Sequence, residues 1–180
     1  MKLSLLVMVA GAFCARGQLA SGGIGLRNVP FNVSVADRAG NLYFTGSAAP
    51  GDIVATAGAV QSQPGGGVCF TTVIPVAFTR ACRDAVLEKI DAQGNVVFAT
   101  YLGGDTDDSG SQIALGAAGN IYVAGSTGGD FPVTPGALAP GASDKGVFIA
   151  KFSADGKRIF STYLPGYFGG ALAVDSAGSA

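Results

Sequence analysis

The sequence predicts an all-β fold built from repeated units of four antiparallel strands. Three observations carry this. The 180-residue chain is 48% hydrophobic but only 13% charged, with 29 Gly and 8 Pro; that composition suits short strands joined by tight turns and disfavours long amphipathic helices. The stretch "RAGNLYFTGSA" at Arg38–Ala48 returns as "AAGNIYVAGST" at Ala117–Thr127, and its opening returns again in "AVDSAGSA" at Ala173–Ala180. Segments such as "IYVAG" (Ile121–Gly125) and "FIAKF" (Phe148–Phe152) alternate between faces, the period of a strand with two different surroundings.

Residues 1–17 read as a signal peptide. Lys2 precedes the apolar run Leu3–Ala15, and the small residues of Ala15–Gly17 place cleavage before Gln18. The run is 13 residues long, short of the roughly 20 that a spanning helix needs. The chain is therefore expected to be exported, to the periplasm, the cell surface or the medium, with no membrane span after signal removal. Residues 18–32 form a lead-in segment.

Residues 33–104 form the first unit and 105–166 the second. "DIVATAGAV" (Asp52–Val60) registers with "DFPVTPGAL" (Asp130–Leu138), and "DAVLEKIDAQGNVVFATYLGG" (Asp84–Gly104) with "KGVFIAKFSADGKRIFSTYLPG" (Lys145–Gly166). That registration leaves residues 61–83 as an insertion without a counterpart, a loop or an extra hairpin. Cys69 and Cys82 both lie in it, 13 residues apart. With Cys14 removed along with the signal, they are an even pair in an oxidising compartment and are expected to form a disulfide; the alternative is two buried free thiols.

Four strand segments are expected in the second unit, at Gln112–Gly116, Asn120–Ser126, Gly146–Ser153 and Arg158–Leu164. The sequences "AAGN" and "SADGK" supply tight turns whose Gly can take positive φ. Four antiparallel strands in about 60 residues describe a β-propeller blade. Residues 167–180 then begin a third blade, cut off at "AGSA". Propellers close with roughly four to eight blades, so the chain is expected to form a partial propeller, two blades plus the start of a third. Either the gene product is truncated or the arc is completed by self-association.

Several linked motifs resemble the SBBP repeat of bacterial exported proteins. They are "FATYLGGDTDD" (Phe98–Asp108), "AAGNIYVAGST" (Ala117–Thr127), "DFPVTPGA" (Asp130–Ala137) and "GVFIAKFSADG" (Gly146–Gly156). The second copy departs in having Leu115-Gly116 for the usual Val-Asp, and Pro165 interrupts "YLPG". The resemblance implies a propeller in an exported protein and brings no established activity or catalytic residues with it.

Few residues suggest chemistry. The chain has no His, so Ser-His-Asp and Cys-His arrangements are ruled out, and no nucleic-acid partner is expected at a net charge of −1. No cofactor is expected, apart from Ca2+ as a candidate. Asp105, Asp107 and Asp108 of "GGDTDDSG" offer carboxylates to it, although no Glu follows at EF-hand spacing; the plainer reading is a solvated turn. Glu88 and Lys89 are expected on an exposed blade face or edge, and the matching Lys89 and Lys151 as edge charges that discourage sheet-to-sheet pairing. Phe131 is expected to pack under the "DFPVTPG" loop. The functional expectation is a non-catalytic scaffold contacting a protein or glycan at the cell surface. The rival is a polysaccharide hydrolase or lyase using Asp residues at the propeller mouth.

Overall fold

The computed structural model describes residues 31–73, 76–138, 145–165, 171–175 and 177–180. The signal peptide and nearly all of the lead-in segment lie outside them. The described residues form ten strands: β1 (Phe31–Ala36), β2 (Leu42–Ala48), β3 (Val68–Val73), β4 (Val76–Ala81), β5 (Asp84–Ile90), β6 (Val96–Leu102), β7 (Asp108–Leu115), β8 (Ile121–Thr127), β9 (Gly146–Phe152) and β10 (Arg158–Pro165). Two antiparallel four-stranded sheets result, ordered β1-β2-β5-β6 and β7-β8-β9-β10, with β3 and β4 forming a separate hairpin. Each sheet is a meander of the propeller-blade type.

The recurring turn has a local cause. The Oδ1 of Asp37 accepts the Ala39 and Asn41 N–H groups at 2.9 and 3.0 Å. Asp91 does the same for Gln93 and Asn95 at 2.9 and 2.8 Å, and Asp175 for Ala177 and Ser179 at 2.9 and 2.8 Å. A short acceptor two and four residues ahead of the reversal fixes the turn. The second unit has Gly116 in place of that Asp, and there Ala117–Gly119 is a 3-10 turn with Ala118 at φ 61°. Described residues 171–175 and 177–180 carry no strand, yet the Tyr122 hydroxyl donates to the Gly178 carbonyl.

The two sheets pack face to face. Their shared core contains Tyr43, Leu87, Phe98 and Leu102 from the first and Ile121, Val123, Phe148, Phe152 and Tyr163 from the second, with Phe131 from the β8–β9 loop. Phe131 stacks on Phe148 at 4.1 Å and meets Tyr163 edge-on at 6.3 Å. The Tyr163 hydroxyl accepts the Phe131 N–H. Phe131, 3% exposed, thus packs into the core beneath its loop, as the loop sequence suggests. At the seam Gly110 of β7 lies so close to Thr45 of β2 that a Cβ has no room.

Two expectations fail here. Strands β5 and β9 are interior strands in both sheets, so Lys89 and Lys151 are not edge charges. Lys89 faces Tyr43 and Lys151 faces Tyr122 across the ladder, with each ammonium over the ring at 5.1 and 4.9 Å. The repeated Lys therefore caps a repeated Tyr by a cation–π contact, leaving its head at the margin of the sheet. Glu88 is neither on an exposed face nor at an edge. It is 3% exposed, between Phe44 and Ala99 in register, and burial pushes its carboxyl up to about 7.

The insertion is the hairpin β3–β4, and Cys69 and Cys82 are bonded across its base. Cross-linking a loop of this length contributes about 3 kcal/mol in the chain-entropy account. Replacing both cysteines by serine is expected to raise backbone hydrogen exchange 10-fold or more within 68–81 and to leave the β8–β9 core protected. Equal loss of protection throughout would mean that the disulfide holds the sheets themselves.

Candidate functional site

The acidic turn "GGDTDD" links the two sheets, and the structure separates the three carboxylates that its sequence puts side by side. Asp105 is exposed. Asp107 receives Arg80 in a bidentate pair, Nη1 to Oδ1 at 2.8 Å and Nη2 to Oδ2 at 2.7 Å. The Arg83 N–H also donates to its Oδ1 at 2.9 Å. Burial raises the Asp107 pKa, but the Arg80 and Arg83 contacts outweigh it and leave the net value below the ordinary one. This half-exposed pair ties hairpin β3–β4 to the turn.

Asp108 turns inward instead and meets Asp84, a residue that the sequence did not single out. Asp84 opens β5 and Asp108 opens β7; they are 0% and 2% exposed. Their carboxyls converge on Gly103: a Cβ there would lie 2.5 Å from Asp84 Cγ, 2.6 Å from Asp108 Oδ2 and 2.7 Å from Asp84 Oδ2. Glycine is required at 103 because the space of its side chain is taken by carboxylate.

Each carboxyl is held by one oxygen. Asp84 Oδ2 accepts the Gly65 N–H at 2.8 Å and Gln61 Nε2 at 3.0 Å. Asp108 Oδ2 accepts the Gly104 N–H at 3.0 Å. Gln61 Oε1 in turn accepts the Gly103 N–H at 3.1 Å, which locks the insertion's stem onto the turn. The two Oδ1 atoms are buried and have no hydrogen-bond partner among the described residues.

Burial drives the titration of this pair. It pushes Asp84 up to about 6, against the Gly65 and Gln61 hydrogen bonds and with help from the Asp107 charge. It pushes Asp108 up to about 7, against the nearby Thr127 hydroxyl and the Gly104 hydrogen bond and with help from the Asp84 and Asp107 charges. Chemically the pair can hold a proton or a hard cation. Paired carboxyls of raised pKa also serve glycosidic acid–base chemistry, but these two are closed off from a polymer by their burial.

Two further features lie apart from this pair. Among the described residues Cys69, Cys82 and Asp107 come together, but the sulfurs are spent in the disulfide and do not ligate a metal. On the far side of the first sheet, Glu88 borders a cavity of about 270 Å3 lined by Ile53, Val54, Thr56, Val96 and Ala99.

The hairpin has a different character. Val68, Phe70, Val76 and Phe78 are 68%, 77%, 58% and 49% exposed. Phe70 pairs with Thr79 and Thr71 with Phe78, so by strand alternation the two phenylalanines face opposite ways. No sequence period marks these apolar residues as exposed, because an alternating strand reads the same whether or not its apolar face is covered.

Residues 97–132, from β6 through the acidic turn to Phe131 and Pro132, match the SBBP family, a beta-propeller repeat. No curated protein matches the chain.

Proposed function

We propose that this chain, which carries an SBBP beta-propeller repeat, is an exported, non-catalytic scaffold that contacts a partner at the cell surface through hairpin β3–β4. Export rests on the N-terminal signal sequence and fits a disulfide-bonded chain. The single observation that carries the contact is the hairpin itself. It holds two exposed phenylalanines and two exposed valines on an arm anchored by a disulfide and the Arg80–Asp107 pair. Val68 and Phe70 lie on one face of the hairpin and Val76 and Phe78 on the other. Each face thus offers a partner an exposed aromatic and a valine, and aromatic anchors dominate the energy of such contacts once buried. The partner surface is a protein; a glycan is the other outcome.

The test uses the full-length gene product expressed with a C-terminal tag. A mature N-terminus at Gln18 in the extracytoplasmic fraction is expected, and retention of the intact N-terminus in the cytoplasm overturns export. Purified mature protein is then titrated onto cells of the producing species. The Phe70→Ser/Phe78→Ser double variant is expected to bind at least 100-fold more weakly, with its thermal stability unchanged. Equal binding by that variant overturns the assignment to the hairpin. Loss of binding after protease treatment of the cells identifies a protein partner, and loss after glycosidase treatment alone overturns that choice. Turnover of a polysaccharide, abolished by Asp105→Asn or Asp107→Asn, overturns the scaffold reading in favour of a hydrolase or lyase.

A further inference from the structure

We propose that Asp84 and Asp108 bind a hard divalent cation of the calcium class at the junction of the two sheets. The two carboxyls come from different sheets, converge across Gly103 and are 0% and 2% exposed. Each has one oxygen engaged by N–H donors and one, Oδ1, buried without a partner among the described residues. Buried acceptors are ordinarily satisfied, and an orphaned charged one is costly.

The neighbouring cations are committed elsewhere. Arg80 is spent on Asp107, and Arg83 Nη1 lies 3.9 Å from Asp52. One shared proton would discharge one carboxylate and leave the other charged and buried. A divalent cation balances both. The donors at hand are all oxygen, which selects Ca2+ or Mg2+ over Zn2+ or copper. Ca2+ is favoured because it accepts irregular sets of carboxylate, carbonyl and water oxygens, whereas Mg2+ demands near-octahedral order. This site shares only Asp108 with the run of aspartates in the turn. Asp105 stays in solvent, and Asp107 is closed by arginine.

Such a cation ties the start of β5 to the start of β7. It therefore stabilises the packing of one blade on the next.

The experiment is thermal unfolding of the mature protein after chelator treatment, at slightly alkaline pH, with CaCl2 or MgCl2 added. At Ca2+ about 100-fold above its dissociation constant the midpoint is expected to rise by roughly 5–10 °C, and by less with Mg2+. The Asp84→Asn/Asp108→Asn variant is expected to gain nothing from Ca2+, and Asp105→Asn to gain as much as wild type. No midpoint shift in wild type overturns the proposal, as does a shift that survives in the double variant. Should that variant not fold, Tb3+ luminescence of the wild type decides. Tyr163 is near enough to feel the charge of Asp108, so tyrosine-sensitised emission that Ca2+ displaces supports the site. Absence of such emission overturns it.

Discussion

In chelator, the folded chain is expected to lose several kcal/mol of stability between about pH 4 and about pH 8, the reverse of what most carboxylates produce. Asp84, Asp108 and Glu88 titrate in the fold at about 6, about 7 and about 7, all raised chiefly by burial. The ordinary values are 3.8 for Asp and 4.5 for Glu. A carboxyl whose folded pKa lies above its unfolded one binds more protons when folded. Its stabilising effect is complete below the unfolded pKa and is lost as pH rises through the folded one. Each of the three is worth on the order of 3 kcal/mol at full titration.

The charges that face the aspartate pair are Asp107, which reinforces the effect, and the arginines bound to it. The turn residues act oppositely. Asp37 is held below its ordinary value mainly by the Asn41 side chain and Asp91 mainly by Asn95. Asp175 is held down by the Ser179 N–H. Their contributions are present above the unfolded pKa and vanish as pH falls through the folded one. Stability should therefore peak near pH 4–5. Urea midpoints measured across this range check the curve. In the Asp84→Asn/Asp108→Asn variant the decline should shrink to the part due to Glu88. A flat wild-type profile above about pH 5 would show that these carboxyls are solvated.

Phe148→Ala is expected to cost about 3–5 kcal/mol. Phe148 is 0% exposed at the centre of the core shared by the sheets, stacked on Phe131. Its truncation removes the surface on which the β8–β9 loop rests as well as the contact between blades. The side chains around it sit on hydrogen-bonded ladders on both sides, so the cavity cannot collapse fully. In a chain of this size the melting point should fall by roughly 10 °C. Phe78→Ala, at 49% exposure, is the internal control and should change stability by no more than about 0.5 kcal/mol. Comparable losses in the two variants would mean that the hairpin, too, is part of the core.

Much of the architecture is readable from residues alone because it is local. The turn residues at Asp37, Asp91 and Asp175 act on backbone groups two to four positions away, and Gly40, Gly94 and Gly178 take positive φ in those same turns. Repetition of one turn and one alternating strand is enough to announce a second blade. The hairpin of the insertion and its cysteine pair are legible for the same reason, since an unmatched stretch carrying two cysteines must fold back on itself to join them.

The sites are another matter. Asp84 and Asp108 are 24 residues apart and belong to different sheets. Asp107 and Asp108 are neighbours yet point to opposite environments, one onto an arginine in solvent and one into the seam. By sequence they group as one solvated turn or cation cluster; strand alternation assigns successive residues of a strand to opposite faces. It is silent on what covers a face. That silence is why Glu88 and Lys89 were expected together at a surface, while the fold buries the first and lays the second across a tyrosine. Local sequence thus determined the strands, the turns and the order of the blades. Only the packing of one sheet on the other decided which carboxylates lose water, because desolvation depends on neighbours distant in the chain.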